Sequence, residues 1–337
     1  MTTDGQKKVS GRVFITGGAG FIGRELAKKL VRKGIAVACF DLGEQFVRQK
    51  PLFSELAEIG EIRCVVGTIL DRSALAQAID GCSIVFHLAA MLGVKRTEEN
   101  RLRCLEININ GTDNVLDAAV KCRVEHVIVA SSSEVYGEPA RNPLHETDPT
   151  QGKTVYAVSK LAAEELTKGH SQRYPWLNHT IVRFFNTYGE GQVAQFVISR
   201  LVKQVLEGRN PVIYGDGTQQ RSFGHVDDVT AGLEAIMGNP RAFGQTYNLG
   251  NSNEVYTLTR LAQRVIDTLA PDSGLSVEVT GTFDGTDRDP HREIYSRYCA
   301  TTKARDELGF VPQISIEEGI RRIAAAGEIH DDWPFNP

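Results

Sequence analysis

The chain has 337 residues, of which 41% are hydrophobic and 24% are charged. These proportions are typical of globular proteins and exclude the collagen-like, disordered and disulfide-scaffold classes. The 38 basic and 42 acidic residues give a formal net charge of -4 without a prominent basic patch, so we do not expect binding to nucleic acid.

Six cysteines stand singly in the sequence, with no C-x-x-C pair. This pattern favours reduced thiols in a cytoplasmic protein over a metal site or a disulfide framework. The least polar stretch, residues 84–94, is about half as long as the ~20 residues that a membrane helix needs. Residues 1–10 lack the apolar core of a signal peptide, so no membrane association is expected.

Short runs that are apolar on both faces alternate with helical patterns in the first half of the chain. The runs cover residues 12–15, 35–40, 61–66, 83–88 and 125–130, and the helical patterns cover residues 21–33, 72–79 and 110–121. Such runs are typical of parallel strands covered by helices on both faces. Their alternation predicts an α/β fold, a Rossmann-type doubly wound parallel sheet, which we assign to residues 1–185.

The alternation becomes less regular from residue 186 onward. Short apolar segments at residues 212–214, 246–249 and 275–279 are mixed with helical patterns at residues 196–207, 258–269 and 302–308. We interpret residues 186–337 as a smaller C-terminal α/β lobe packed against the end of the sheet, with segments interleaved between the two parts.

A glycine-rich sequence, T-G-G-A-G-F-I-G, follows the first predicted strand and leads into the first predicted helix. Gly17 and Gly20 suit a tight turn in which backbone N–H groups approach a pyrophosphate, and Gly23 lets the helix pack close to the strand. The helix N-terminus favours the bound anion. The predicted dinucleotide-binding residues of this loop are Gly17, Gly20, Phe21, Ile22 and Gly23.

Asp41 ends the second predicted strand, 21 residues after Gly20. A carboxylate at this distance can hold the hydroxyls of the adenosine ribose and would repel a 2′-phosphate. The glycine-rich loop and this acid together predict NAD, rather than NADP, as the cofactor.

Tyr156 and Lys160 lie four residues apart in a predicted helix, so both side chains point from one face. A free phenol has a pKa near ~10, and an adjacent ammonium group stabilises the phenolate. Lys160 and the positive charge of the oxidised nicotinamide together make Tyr156 a candidate base near neutral pH.

Polar residues follow the fifth predicted strand, where residues 131–137 read S-S-S-E-V-Y-G. Doubly wound sheets carry out their chemistry at the carboxyl ends of their strands. Ser132, Ser133 and Glu134 are therefore candidate catalytic residues, together with Tyr156 and Lys160.

Six motifs occur in the order found in one enzyme family. They are G-x-x-G-x-x-G at residues 17–23, H-L-A-A at 87–90, N-x-x-G-T at 108–112, S-S-S-E-V-Y-G at 131–137, Y-x-x-x-K at 156–160 and R-F-F-N-x-Y-G at 183–189. The chain resembles the extended short-chain dehydrogenases/reductases that act on nucleotide sugars as epimerases, dehydratases and decarboxylases. The resemblance covers nearly the whole chain.

The resemblance implies a catalytic cycle at C4 of a sugar. Ser132 would bind the 4-hydroxyl, Tyr156 would remove its proton as a hydride passes to NAD, and Lys160 would hold the nicotinamide ribose. NADH would later return the hydride to the same sugar, so that NAD is retained. Further cofactor contacts are implied for Asp71, Leu88, Ala89, Ala90 and Asn108.

The resemblance also implies where the substrate binds. Asn186 matches an asparagine that contacts the diphosphate, and Arg221 and Arg288 match arginines that bind phosphate. We expect a nucleotide-diphosphate sugar as the substrate, with UDP as the favoured nucleotide. Residues 100–121 and 154–174 resemble the helices that form the family's dimer, so a homodimer is expected.

Ser133 and Glu134 carry the discrimination between reactions. This Ser-Glu pair resembles the one in UDP-glucuronate decarboxylases and some 4,6-dehydratases, which favours elimination after oxidation at C4, by decarboxylation or by 4,6-dehydration. A 4-epimerase is the alternative, and a non-catalytic NAD-binding scaffold is a remote one. Two departures from the family pattern, Glu190 in place of a proline and an insertion at residues 292–294, predict an unusual sugar pocket.

Overall fold

A central sheet of seven parallel strands dominates the computed structural model, which describes residues 11–283, 293–327 and 329–331. The strands of the chain, numbered in order, are β1 (Arg12–Thr16), β2 (Val37–Asp41), β3 (Ile62–Val66), β4 (Cys82–His87), β5 (His126–Ser132), β6 (Asn178–Phe184), β7 (Thr187–Tyr188), β8 (Val212–Ile213), β9 (Gln220–Ser222), β10 (Gly224–His225), β11 (Gln245–Leu249), β12 (Val255–Thr257), β13 (Glu278–Val279) and β14 (Ser296–Arg297). The central sheet has the order β11-β6-β5-β4-β1-β2-β3. This topology confirms the predicted doubly wound fold.

Helices cover both faces of this sheet. They are α1 (Phe21–Arg32), α2 (Gly43–Arg48), α3 (Lys50–Ile59), α4 (Arg72–Ile79), α5 (Val94–Glu99), α6 (Arg101–Leu105), α7 (Gly111–Lys121), α8 (Val155–Arg173), α9 (Val197–Leu206), α10 (Val226–Ile236), α11 (Leu258–Leu269), α12 (Thr302–Leu308) and α13 (Ile316–Ala325). A π-helical turn covers Glu106–Asn110, and short 3-10 turns cover Ser133–Tyr136 and Pro240–Ala242.

Alternating side chains of β1 explain why the sheet needs two layers of helices. Val13 and Ile15 pack into the core that contains Leu26 of α1, whereas Phe14 packs into the core that contains Leu116 of α7. Successive strand residues point to opposite faces, so a strand that is apolar at every position must be covered on both sides.

The order of the strands places the functional edge of the sheet. β1 pairs with β2 on one side and with β4 on the other, so the chain reverses its direction of winding between β1 and β4. Ligands of doubly wound sheets bind in the crevice outside the carboxyl ends of the strands at this point.

The sequence interpretation placed residues 246–249 in the smaller lobe. In the structure this segment belongs to the central sheet instead. It forms β11, which pairs with β6 and extends the central sheet, with Tyr247 and Leu249 in the core. Helices α10 and α12 pack beside it, and Leu233 of α10 shares that core. Strand pairing across so many residues leaves no local signal in the sequence. The domain division at residue 185 remains a prediction.

The second lobe has a separate hydrophobic core. It is built mainly from α9, α11 and α13, with Leu201, Leu261 and Ile320 fully buried. Three small sheets lie within residues 187–297: β12-β9-β14, β10-β7 and β13-β8. Among the described residues, no helix combines the length and the apolar character needed to span a membrane.

Candidate active site

The glycine-rich loop is a tight turn between β1 and α1. Gly17 has a φ of +67°, and a Cβ atom on Gly23 would lie 2.0 Å from the carbonyl oxygen of Gly17. Gly20 precedes α1 and has no side chain with which to cap it, so the first N–H groups of the helix are not blocked from within the loop. These features fit a bound pyrophosphate at the helix N-terminus.

Asp41 lies at the end of β2, directly beside this loop. Its Oδ2 accepts a hydrogen bond from the backbone N–H of Ala19 at 3.0 Å, and its Oδ1 accepts one from that of Leu42 at 2.8 Å. Burial raises the pKa of Asp41 to about 6, against the effect of these backbone hydrogen bonds. The carboxylate is therefore fixed in position, where it fits the adenosine ribose of NAD.

The residues after β4 form the opposite wall of this cleft. The backbone N–H of Ala89 donates to Oγ1 of Thr16 at 3.2 Å, and a Cβ atom on Gly17 would lie 2.8 Å from the nitrogen of Ala89. The backbone of Leu88 and Ala89 thus lies against the glycine-rich loop, and contact of Leu88, Ala89 and Ala90 with the cofactor remains a prediction.

The side chains of Asn108 and Asp71 are engaged with the protein itself. Asn108 is 2% exposed, and its amide bonds the N–H and the carbonyl of Met91 and the hydroxyl of Ser159. Asp71 accepts hydrogen bonds from Ser73 and Ala74 and caps α4. Asn108 therefore holds the loop after β4 against α8. Direct contact of these two side chains with the cofactor remains a prediction.

The predicted catalytic residues come together where β5 ends against the first turns of α8. The ammonium of Lys160 lies 5.9 Å from the centre of the Tyr156 ring and donates to the carbonyl of Ala130 at 2.9 Å. The hydroxyl of Ser132 hydrogen-bonds to the Tyr156 phenol and also accepts from the N–H of Glu134 at 3.2 Å. One turn of helix and one strand end thus position four of the five predicted side chains together.

The residues around Tyr156 do not by themselves favour the phenolate, and the expected joint effect of Lys160 and the nicotinamide remains a prediction. Burial and the charge of Glu134 raise the pKa of Tyr156, and the bond from Ser132 only partly opposes them. Burial lowers the pKa of Lys160 to about 8. The ammonium of Lys160 donates to the carbonyl of Ala130. Because the pKa of Tyr156 is raised, the phenol stays protonated at neutral pH in the chain by itself.

A buried ion pair anchors α8 to the sheet behind these residues. Arg183 of β6 donates to both carboxylate oxygens of Glu164 at 2.9 and 2.7 Å. The hydroxyl of Ser131 donates to Glu164 at 2.5 Å. Because α8 carries Tyr156 and Lys160, this pair sets the position of the catalytic side chains relative to β5.

Two residues that the sequence interpretation did not assign also lie at this site. Arg297 of β14 is 8% exposed, and its charge lowers the pKa of Tyr156 in opposition to burial. Thr154, the N-cap of α8, donates its hydroxyl to Oε2 of Glu134 at 3.2 Å. Thr154 could have been found from its place two residues before Tyr156. Arg297 follows no recognisable motif, and only the tertiary contact identifies it.

Ser133 differs from its neighbours in the S-S-S-E sequence. It is 2% exposed, whereas Ser132 and Glu134 are partly accessible. Its hydroxyl is therefore poorly placed to deliver a proton to a substrate.

The two described residues of the predicted diphosphate site are brought close together. Asn186 has a φ of +35°, and its side-chain N–H donates to the carbonyl of Ser222 at 2.8 Å, next to Arg221 on β9. Arg221 pairs with Glu293 at 2.9 Å, and both side chains are buried. Arg288 lies outside the described residues. The structure thus brings Asn186 next to the strand that carries Arg221.

A separate group of acidic residues lies away from this site, on α7 and α8. Within the described part of the chain, Asp113, Asp117 and His170 place their ligand atoms within 4.8 Å of one another. The guanidinium of Arg72 lies 3.6 Å from Asp113 and 3.8 Å from Asp117. Since this arginine already compensates the carboxylates, we assign no metal site there.

Comparison with known proteins agrees with this geometry. The family described as "NAD dependent epimerase/dehydratase family" matches residues 13–250. The chain is 35% identical over 319 residues to UDP-N-acetyl-alpha-D-glucosaminuronate decarboxylase of Bacillus cytotoxicus, covering 92% of this chain and 95% of the relative.

Solved structures show the same fold. The structure of MoeE5 in complex with UDP-glucuronic acid and NAD has a TM-score of 0.80 and 32% identity, covering 94% of this chain and 98% of that one. The UDP-glucuronic acid 4-epimerase from Bacillus cereus, in complex with UDP-glucuronic acid and NAD, has a TM-score of 0.81 and 26% identity, with the same coverage. The extent of these matches and the fit of the glycine-rich loop and Asp41 lead to one conclusion: the chain belongs to the NAD-dependent epimerase/dehydratase family and is a nucleotide-sugar enzyme that uses NAD.

Proposed function

We propose that the protein decarboxylates a UDP-linked hexuronic acid after oxidising its sugar at C4. The observation that carries this proposal is the surrounding of Tyr156, where the carboxylate of Glu134 and the guanidinium of Arg297 both act on the phenol. The relative from Bacillus cytotoxicus is named as a decarboxylase of a UDP-linked uronic acid, and MoeE5 is described with UDP-glucuronic acid bound. A positively charged side chain beside the sugar site suits a substrate that carries a carboxylate.

Oxidation at C4 uses the residues at the end of β5. Ser132 binds the 4-hydroxyl, and Tyr156 takes its proton. NAD held at this site would supply the hydride acceptor for C4 and the positive charge that favours the phenolate. Lys160, fixed by the carbonyl of Ala130, holds the nicotinamide ribose beside the phenol.

Decarboxylation then follows from the chemistry of the 4-ketone. The carboxylate at C5 is now β to a carbonyl group, so the C5–C6 bond can break, CO₂ leaves, and the electron pair moves onto the oxygen at C4. Ser132 and Tyr156 already face that oxygen and stabilise its charge by hydrogen bonds. We assign Glu134, held by Thr154, to the relay that returns a proton to C5.

The other predicted residues bind the two ligands. Arg297 pairs with the carboxylate of the sugar, and Asn186, Arg221 and Arg288 bind the diphosphate. The residues proposed to hold NAD are Gly17, Gly20, Phe21, Ile22, Gly23, Asp41, Asp71, Leu88, Ala89, Ala90, Asn108, Tyr156 and Lys160.

The 4,6-dehydration that the sequence left open fits this site less well. Loss of the 6-hydroxyl requires an acid that protonates it, and Ser133 stands where many hexose 4,6-dehydratases carry an aspartate, although some dehydratases share the Ser-Glu pair. Ser133 is 2% exposed and is no acid. Decarboxylation needs no proton at C6, so the site is complete for it.

Incubation with UDP-sugars in D₂O tests the proposal. With UDP-glucuronate or UDP-N-acetylglucosaminuronate, we expect one CO₂ per sugar and deuterium at C5 of the product, measured by NMR. UDP-glucose, UDP-N-acetylglucosamine and GDP-mannose serve as substrates that lack the carboxylate, and we expect no turnover with them. A 6-deoxy-4-keto product from any of these would contradict the proposal in favour of dehydration.

Epimerisation at C4 is the second candidate, favoured by the likeness to the Bacillus cereus UDP-glucuronic acid 4-epimerase. It predicts inversion at C4 with no CO₂ and no deuterium at C5. Arg297→Met tests whether the guanidinium pairs with the carboxylate of the sugar. If it does, the variant should have a higher KM for a uronic acid substrate. If Tyr156→Phe left turnover unchanged, the remaining alternative, a non-catalytic scaffold, would have to be considered again.

We further propose that the enzyme is a cytoplasmic homodimer. Leu102 of α6 and Val158 of α8 are 85% and 47% exposed, which supports a partner on this face. All six cysteines lie in the described part of the chain and are free thiols, which supports a reducing compartment. Light scattering of the wild type and of Leu102→Glu tests the dimer, and an unchanged mass would contradict this assignment of the interface.

A further inference from the structure

Residues 189–195 connect β7 to α9. We call this segment the strap. Within it, the N–H of Gln192 donates to the carbonyl of Gly189 at 3.2 Å, and its side-chain amide donates to the carbonyl of Thr187 at 2.8 Å. The N–H of Ala194 donates to the carbonyl of His330 at 2.7 Å. These hydrogen bonds order the strap and tie it to the C-terminal part of the chain.

The two ends of the strap contact opposite walls of the cleft. Near its start, the carbonyl of Glu190 accepts a hydrogen bond at 2.9 Å from Arg24, which follows Gly23 in α1. Near its end, the amide of Gln195 packs against Gly93, where an added Cβ would lie 3.1 Å from Nε2. Gly93 follows the wall formed after β4. A segment anchored on both walls spans the space between them, which is where NAD binds.

Arg24 is an unusual residue for the place it occupies. It is 6% exposed, and burial lowers its pKa although Glu25 opposes this effect. Gly191 lies directly against it, since a Cβ atom there would be 2.2 Å from an Arg24 nitrogen, and Gly191 has a φ of +73°. The strap is thus shaped to receive this guanidinium.

The side chain of Glu190 ties the strap to the second lobe. Its Oε2 lies 3.0 Å from Nε2 of His225, a fully buried residue. Nδ1 of His225 accepts from the N–H of Asp227, so in the neutral ring Nε2 must carry the proton that faces Glu190. Although burial opposes it, this interaction lowers the pKa of Glu190. The residue that replaces the usual proline therefore has a specific partner.

We propose that Arg24 and Glu190 are positioning residues that keep the strap closed over the cofactor throughout each turnover. An enzyme that removes a hydride and later returns it to the same sugar must not release the reduced cofactor in between. A closed strap gives the cofactor no exit until the contacts of Arg24 and Glu190 break. This inference rests on the use of NAD and not on which sugar reaction follows.

The dissociation rate of NADH tests directly whether the strap retains the cofactor, and the assay needs no sugar. Enzyme loaded with NADH is mixed with excess NAD, and the loss of NADH fluorescence gives the dissociation rate. For Arg24→Ala and Glu190→Gln we expect release at least about tenfold faster, the size of one lost charge-assisted hydrogen bond. Arg24→Lys, which keeps a charged donor, should restore part of the retention. Turnover of Arg24→Ala should depend on added NAD, with KM for NAD rising more than kcat falls.

A matched control is available on the same helix. Arg32 of α1 has a side chain that is 54% exposed and contacts Glu55 rather than the strap, so Arg32→Ala should release NADH at the wild-type rate. Since removal of the buried Arg24 could disturb α1, Glu190→Gln is the second variant, with a side chain that is 33% exposed. The proposal is wrong if both variants release NADH at the wild-type rate, or if Arg32→Ala accelerates release equally.

Discussion

Replacing Asp41 with asparagine should stabilise the NAD-free protein while weakening its binding of NAD. Burial raises the pKa of Asp41 from its usual 3.8 to about 6, so keeping the group ionised at pH 7 costs about 3 kcal/mol of folding free energy. Asparagine carries no charge and therefore removes this cost. It has one acceptor oxygen, so either Ala19 or Leu42 loses its partner, at about 1–2 kcal/mol. We expect a net gain of about 1–2 kcal/mol in the free energy of unfolding at pH 7.

The raised pKa of Asp41 also predicts how the stability of the protein changes with pH. The native state binds the Asp41 proton more tightly than the unfolded chain does, so this group's contribution is fully present below pH 4 and is lost as pH rises through about 6. The advantage of Asp41→Asn should therefore shrink from pH 7 to pH 5. NAD affinity should fall about 10- to 100-fold in the variant at pH 7, because a charged acceptor for the ribose hydroxyls is lost.

Urea unfolding of NAD-free wild type and Asp41→Asn at pH 5 and pH 7, with calorimetric titration of NAD, measures both effects. The reasoning is refuted if the variant is less stable than the wild type at pH 7, or if the difference in stability is the same at the two pH values. An unchanged NAD affinity would separately refute the proposed ribose contact.

Three other substitutions test the site. Tyr156→Phe should lower kcat by about 10²- to 10⁴-fold, because the proton-transferring group is removed; activity near that of the wild type would argue against the assigned base. Glu164→Gln should lower the free energy of unfolding by about 3–5 kcal/mol, measured in urea, since Arg183 stays buried without its counter-charge; a loss below about 1 kcal/mol would be inconsistent with this. Gly23→Ala should remove NAD from the purified protein, measured by absorbance after denaturation, because its Cβ would lie 2.0 Å from the carbonyl oxygen of Gly17; undiminished NAD content would show that the loop tolerates the change.

The pH and strap experiments address different properties of the same cofactor site. Asp41 contributes to equilibrium affinity through a contact with the ribose, whereas Arg24 and Glu190 act on the rate of release. A variant of the first kind should lower affinity even where the strap is intact. Comparing dissociation rates with equilibrium constants therefore separates binding contacts from closure.

Local patterns in the sequence were sufficient to identify the first five strands, the glycine-rich loop and the Tyr156–Lys160 pair. Each of these depends on residues that are close in the chain, through side-chain alternation, the conformations open to glycine, or one helical turn. The position of residues 131–137 at a strand end was likewise predictable, because these polar residues directly follow the apolar run at residues 125–130. These features are enough to infer the fold, the cofactor and the family.

Contacts between distant segments settled the rest. The pairing of β11 with β6, the approach of Arg297 to Tyr156, and the position of Glu190 between Arg24 and His225 each join segments that are far apart in the chain. The pKa of Tyr156 also depends on the packing of the whole chain. Burial raises this pKa more than any nearby charge lowers it. Desolvation and long-range pairing arise only when the whole chain packs, so no short stretch of residues contains them.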